Sequence, residues 1–192
     1  MRIEPRSWKE TMQYCPQCGS NLVDKNTDGR NRRACKRCGY IHWNNPIPVV
    51  AAIVEQGDQI LLARKKGWPL NKWVLIAGFP EAGETMKEAI HREVSEESGL
   101  KGEVLDLIGV YSLPWANQVF IVYRVKVPIG KITVCSELED IKPFHPNQIS
   151  QVISEVNPRD GAARALRDYL SRAINGTPSS QLSQWRPLQR IV

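Results

Sequence analysis

Two groups of side chains in this sequence have the types and spacing to do chemistry. The first is Cys15-x2-Cys18 and Cys35-x2-Cys38, two pairs with 16 residues between them. Four thiolates at that spacing can close a tetrahedron around one zinc ion. Gly19 and Gly39 follow the pairs. A glycine there lets the backbone turn sharply, so that amide N–H groups point at the sulfurs. With every position filled by protein, the ion has no open site, and a structural role follows. Disulfides would need an oxidising compartment, for which the chain carries no signal. Cys135 stands apart and reads as a buried free thiol with no activating base nearby.

The second group is the set of glutamates Glu93, Glu96 and Glu97. The spacing predicts a helix over residues 86–98. Thr85 is a natural N-cap, Glu88 completes a capping box, and Gly99 closes the C-terminus. At about 100° per residue, Met86, Ala89, Ile90 and Val94 form an apolar stripe that must face the core. Lys87, Glu88, His91, Ser95 and Ser98 fall on the side expected to face water. Glu93 and Glu97 fall inside the apolar stripe, and Glu96 lies at its edge. All three acids crowd the C-terminal half, where the helix dipole disfavours each by roughly 0.3–1 kcal/mol. Neighbours of like charge at i, i+3 and i, i+4 repel as well.

Arg92 can pair with Glu96 at i, i+4. That leaves inward-facing carboxylates whose burial is costly without a positive partner. A hard divalent cation supplies one. Magnesium takes carboxylate oxygens together with substrate phosphates. The preceding loop, residues 78–84, contains two glycines that allow close backbone approach, and Gly78 can offer its carbonyl as a further ligand.

These residues need a scaffold, and the chain around them reads as α/β. Residues 49–54 and 59–63 are apolar runs around Gln56-Gly57-Asp58, a β-hairpin pattern. Further strands are expected at 74–77, 104–111, 119–127 and 139–144, with a closing helix at 161–174. Strands mixed with two helices predict a sheet with helices on its faces. Residues 1–14 read as a leader and 15–43 as a zinc ribbon too poor in large apolar residues to form its own core. Asn44-Asn45-Pro46 is a junction, 48–174 the main domain, and 175–192 a Ser/Gln-rich tail.

The run from Gly78 through Glu84 to Arg92-Glu93-Val94-Ser95-Glu96-Glu97-Ser98-Gly99-Leu100 resembles the Nudix box, G-x5-E-x7-R-E-U-x-E-E-x-G-U, where U is bulky and apolar. Every fixed position matches. The resemblance implies a Nudix-type α/β/α sandwich with a mixed sheet, preceded by the zinc ribbon. It implies a Mg²⁺- or Mn²⁺-dependent attack of water on a pyrophosphate phosphorus. Glu93, Glu96 and Glu97 would hold metal, directly or through water, and one of them or an acid outside the box would deprotonate the water. Arg92 would orient Glu93, and Glu84 would brace the loop. Such enzymes often recruit a later acid, for which Glu139, in Ser136-Glu137-Leu138-Glu139-Asp140, is the candidate.

A zinc ribbon joined to such a domain resembles two subgroups. Ser112, Pro114, Asn117, Gln118 and Val119 match an S-x-P-x-x-N-Q-V pattern of zinc-ribbon Nudix enzymes associated with ADP-ribose and FAD. Ser112, Pro114 and Trp115 match part of the pattern of the NADH pyrophosphatase group, which also removes NAD caps from RNA. The first resemblance is the fuller one. Phe79, Trp115 and Arg64 are the candidate substrate-binding residues, the two aromatics as base-stacking surfaces. A nucleotide-sensing or nucleic-acid-binding module without catalysis is the alternative, but it would not need an intact set of inward acids with an orienting arginine.

Composition bounds the rest. With 42% hydrophobic residues the chain can fill one sizeable core and a small appendage. Its longest apolar runs are strand-sized, too short to span a bilayer. The N-terminus Met1-Arg2-Ile3-Glu4-Pro5-Arg6 mixes charges with no apolar run behind it, so no signal peptide is read and the cytoplasm is expected. Four thiolates and a zinc ion would bring the formal charge of +6 to about +4. That suits an anionic small molecule of nucleoside-diphosphate type better than it singles out nucleic acid. Homodimers are common among relatives, so one is an expectation here too.

Overall fold

A computed structural model describes residues 12–155 and 161–175. The chain divides into two units between Pro46 and Ile47, at the end of the Asn44-Asn45-Pro46 junction read from the sequence. The expected leader falls mostly outside the described residues, and so does the tail from residue 176 onward.

The small unit is a three-stranded antiparallel sheet, β1 (Leu22–Thr27), β2 (Arg30–Cys35) and β3 (Ile41–His42). Asp28 and Gly29 turn β1 into β2, both with positive φ, as a tight hairpin demands. Its buried cluster holds only Cys15, Leu22 and Cys35. That is too little apolar surface to hold such a unit folded without a staple.

The large unit is an α/β/α sandwich. Its strands are β4 (Ile47–Gln56), β5 (Gln59–Lys65), β6 (Ile76–Gly78), β7 (Glu103–Leu113), β8 (Gln118–Val127) and β9 (Leu138–Phe144). Their order is β7-β8-β4-β5-β9, with β6 also pairing β4. The β4–β8 pair is parallel over ten register positions, and the others are antiparallel, so the sheet is mixed. Every residue of β4 from Val49 to Val54 is buried, because both faces of this central strand are covered. Alternate side chains therefore serve two cores. Ala51 and Ile53 pack with Ile149, Ala163 and Leu166 of helices α2 (Pro146–Glu155) and α3 (Gly161–Asn175). Val50, Ala52 and Val54 pack with Ala89, Ile90 and Val94 of helix α1 (Met86–Ser98).

Helix α1 has the bounds read from the sequence. Glu88 N–H donates to Thr85 Oγ1 (3.2 Å), and Thr85 N–H donates to Glu88 Oε2 (2.7 Å), closing the capping box. Gly99 caps the other end at φ 71°, its N–H on Ser95 O. Two features differ from the sequence reading. Ser98 is fully buried rather than wet, since its hydroxyl donates to Val94 O (2.6 Å) and accepts from Leu100 N–H (3.2 Å). This satisfies the last turn internally and lets a small polar residue lie against the sheet. Helix α2 was not anticipated; its start at Pro146 suits the first helical position.

The edge of β4 facing away from β8 is shared. β5 pairs with its end through Val54↔Leu61, and β6 pairs with its start through Val50↔Gly78. A lone bridge, Ala63↔Val74, ties β5 to the stretch before β6. The segment that ends at Gly78 is thus wedged beside the central strand and delivered to α1.

Candidate active site

The end of β6, the loop after it, the C-terminal half of α1 and residues 135–138 enclose a cleft of about 510 Å³. Glu93, Glu96, Glu97, Arg92, Gly78 and Phe79 all line it. Glu93 and Glu97 reach it from a stripe that is otherwise core, since Ile90 and Val94 of the same helix are fully buried. The helical period aims these acids at the sheet, and the cleft is where the sheet leaves room for them.

Arg92 organises the acids. Its Nε donates to Glu84 Oε1 (2.7 Å) and Nη2 to Glu84 Oε2 (3.0 Å), a bidentate pair. Nη1 donates to Glu93 Oε1 (2.8 Å) and Glu96 Oε2 (3.1 Å), and Nη2 also to Phe79 O (3.0 Å). Three carboxylates raise the guanidinium's pKa further. Glu84 in turn accepts from Glu81 N–H (2.9 Å). These bonds, Arg92 first, hold its carboxyl down at about 2. The loop is therefore pinned to the helix through one arginine, with Glu84 ionised at any physiological pH.

Glu97 is the opposite case. Desolvation, then the charge of Glu93, pushes its carboxyl up to about 7; Lys65 and a backbone hydrogen bond from Ala77 oppose the rise. A carboxylate so placed lacks positive charge. Gly78 fits the same picture, because a Cβ there would fall on the Glu93 carboxylate. Glycine is required for backbone and carboxylate to lie side by side. The donor set is all oxygen, the kind hard divalent cations select. The acids do not close into a preformed cage, because Glu93 and Glu96 are turned toward Arg92.

The four cysteines do converge. Their sulfurs lie within 4.8 Å of one another, the one such metal-ligating cluster among the described residues. Cys15 Sγ is 3.5 Å from Cys38 Sγ, and Cys18 Sγ is 3.5 Å from Cys35 Sγ. Gly19 N–H reaches Cys15 O and Gly39 N–H reaches Cys35 O, both glycines at positive φ, giving the two expected knuckles. Hydrogen bonds from Ser20 lower the Cys18 thiol's pKa. At Cys38 a backbone bond at Tyr40 is outweighed by desolvation and the neighbouring sulfurs, which raise it. Thiols crowded this closely are relieved by a shared cation.

Three candidates lie elsewhere. Arg64 points to the other face of β5, with a guanidinium nitrogen 3.8 Å from Asp140 and its centre 5.7 Å from the Trp73 ring. Strand alternation sends Arg64 and Lys65 to opposite sides, and it is Lys65 that lines the cleft. Trp115, 67% exposed, sits in the β7–β8 turn and does not line the cleft. Glu139 is exposed on β9 and does not line it either. The β5–β9 register slips between Arg64↔Asp140 and Lys65↔Leu138, skipping Glu139. This bulge turns Leu138 into the core and leaves Glu137 at the cleft. Glu137 and Lys65 were missed in the sequence. The acidic run around Glu137 was the available signal, but the bulge that selects between its members is a tertiary feature.

Comparisons with known proteins match both parts of the chain. Residues 45–167 match the NUDIX domain family and residues 13–44 the Nudix N-terminal zinc-ribbon family. The chain is 33% identical over 162 residues to the NAD-capped RNA hydrolase NudC of Vibrio vulnificus, covering 82% of this chain and 58% of that protein. It is 33% identical over 111 residues to the mitochondrial NAD(P)H pyrophosphatase NUDT13 of Mus musculus, covering 58% of this chain and 31% of that one. The chain thus spans less than two thirds of the length of these relatives. A solved NUDIX hydrolase from Nitrosomonas europaea aligns with a TM-score of 0.72 at 30% identity, covering 87% of this chain and 95% of that one. From the matched domain, the ribbon before it and the acids held by Arg92, it follows that the chain belongs to the Nudix hydrolase family.

Proposed function

We propose that this chain is a divalent-metal-dependent pyrophosphohydrolase that cuts the diphosphate bond joining a nucleoside to another moiety. The observation that carries this reading is the electrostatic state of the cleft. Among the described residues, five carboxylates line it against two cations, and the Glu97 carboxyl is pushed up to about 7. Glu93, Glu96 and Glu97, with the carbonyl of Gly78, which lines the same cleft, would hold Mg²⁺ or Mn²⁺. A bound ion of this kind neutralises the diphosphate and lowers the pKa of a water.

The chain's own residues do the rest. Arg92 holds Glu93 and Glu96, and Glu84 fixes Arg92, so two of the acids are oriented by an arginine that lines the same cleft. Glu81, Glu97 and Glu137 line the cleft without a bond to Arg92, and they are the carboxylates available to take the water's proton. Phe79, 56% exposed at the rim, offers a face for a nucleobase. In the ribbon, zinc on the four cysteines has no open position and serves stability.

Two substrate readings have separate support. The β7–β8 turn favours ADP-ribose or FAD through Ser112, Pro114, Asn117, Gln118 and Val119. Asn117 also has a local reason to be there, since it adopts φ 52°, a conformation asparagine tolerates. The relatives' names, an NAD-capped RNA hydrolase and an NAD(P)H pyrophosphatase, favour NADH or NAD-capped RNA.

The test is a panel of ADP-ribose, FAD, NADH and NAD-capped RNA with Mg²⁺ or Mn²⁺, each product identified by mass. Cleavage between the phosphates, giving two monophosphate ends, is the expected result. Tight nucleotide binding with no turnover of any member would replace the enzyme with a nucleotide sensor. RNA cleavage that weakens steeply with salt would select the RNA reading over the small molecules.

A further inference from the structure

Among the described residues the cleft holds two cationic side chains, and one of them is fully committed. Arg92 makes five hydrogen bonds, one for each N–H of a guanidinium. None remains for a substrate phosphate. The other cation is Lys65, at the end of β5. It is exposed and makes no ion pair within 4.0 Å among the described residues. Yet its charge is felt at Glu97, and it lines the same cleft.

Its placement follows from the alternation of β5, which puts Lys65 on the same side as Leu61 and Ala63, the side that packs with α1. Lys65 stands opposite Leu138 at the register slip, and Lys66 N–H approaches Glu137 O at 3.5 Å. The extra residue of the bulge, Glu139, belongs to β9, so the alternation of β5 runs past it unbroken. That alternation keeps Lys65 on the acid-lined side while Arg64 is spent on Asp140 and Trp73 on the far side.

We infer that Lys65 is the residue that grips a non-bridging oxygen of the substrate's diphosphate, as the one uncommitted cationic donor in the cleft among the described residues. An ammonium is a compact point charge on a flexible stem with three donors, suited to a phosphate that must be both held and released. This inference rests on the cleft being a diphosphate-hydrolysing site. Lys65 would bind substrate, not metal, and its positive charge would if anything oppose a cation at Glu97.

The experiment uses the zinc-loaded full chain and α,β-methylene-ADP, a diphosphate whose bridge cannot be hydrolysed, in Mg²⁺. Calorimetry should show Lys65→Met weakening the probe by about 10-fold or more, the loss expected for one charge-assisted hydrogen bond, with Lys65→Arg restoring most of it. Mn²⁺ affinity without nucleotide, read by electron paramagnetic resonance, should be unchanged or tighter in Lys65→Met. Wild-type affinity for the probe in Lys65→Met would overturn the inference, as would Mn²⁺ affinity falling in step with probe affinity. The two readings fail separately. If the wild type hydrolyses no diphosphate but Lys65→Met still loses the probe, the activity falls and the role of Lys65 stands. If the wild type hydrolyses substrate and Lys65→Met keeps both probe affinity and KM, the role of Lys65 falls and the activity stands.

Discussion

Arg92 and Glu84, eight positions apart, meet in a two-point pair at 2.7 and 3.0 Å that locks the loop after β6 to helix α1. The same guanidinium then reaches Glu93 and Glu96. One side chain thus couples the position of a loop to that of two acids.

Arg92→Lys keeps the charge and loses the fork, so it is not conservative here. The expected effect is a loss on the order of 10–100-fold in kcat/KM, the range for groups that orient ligating side chains, with zinc content and far-ultraviolet circular dichroism unchanged. Steady-state kinetics on the substrate chosen by the panel check this.

Gly78→Ala puts a methyl group where the Glu93 carboxylate lies. The carboxylate must move, because the backbone at Gly78 is paired to Val50. We expect weaker Mn²⁺ binding by about 10-fold or more. A titration by electron paramagnetic resonance reads it, and unchanged affinity would mean that Glu93 is not a ligand.

The raised carboxyl of Glu97 gives a pH dependence to the protein with an empty cleft. Its folded pKa, about 7, lies above the reference 4.5. Between these values the folded state binds more protons than the unfolded one, so stability falls as pH rises through that window. Urea midpoints of zinc-loaded protein should be lower at pH 8 than at pH 5.5 by a contribution that Glu97→Gln removes. Saturating Mg²⁺ should restore the loss at pH 8 by binding the folded state.

In the ribbon, Cys35→Ser removes a buried sulfur from a unit with three buried residues in its cluster. Zinc stoichiometry should fall toward zero and the ribbon should lose its own melting transition, while the main domain's transition stays in place. Zinc analysis and calorimetry check this; a change in catalysis alone, with zinc retained, would contradict a structural ion.

Much of the site was legible because it is local. Helix α1 is delimited by its caps, and the acids betray themselves by sitting on the apolar stripe of a period that the sequence displays. The cysteine knuckles are legible for the same reason, each being a few residues long. What escaped depends on pairing across the sheet. Choosing Glu137 over Glu139 needs the β5–β9 register and its bulge, and choosing Lys65 over Arg64 needs to know which face of β5 packs with α1; no local pattern reveals either. The burial of Ser98 depends on a hydroxyl folding back onto Val94 O, a choice that the helical wheel treats as polar and therefore wet. Helix α2 begins at Pro146 with only His145 between it and β9, and this short connection hid where the strand pattern gives way to a helical one.

The most direct test of the central claim is a crystal of the chain grown with Mn²⁺ and α,β-methylene-ADP, examined for anomalous scattering. The expected result is a manganese peak in contact with Glu93 and Glu97 carboxylate oxygens and a diphosphate oxygen. Nucleotide density in the cleft, with those carboxylates surrounded by water and no anomalous peak, would contradict it.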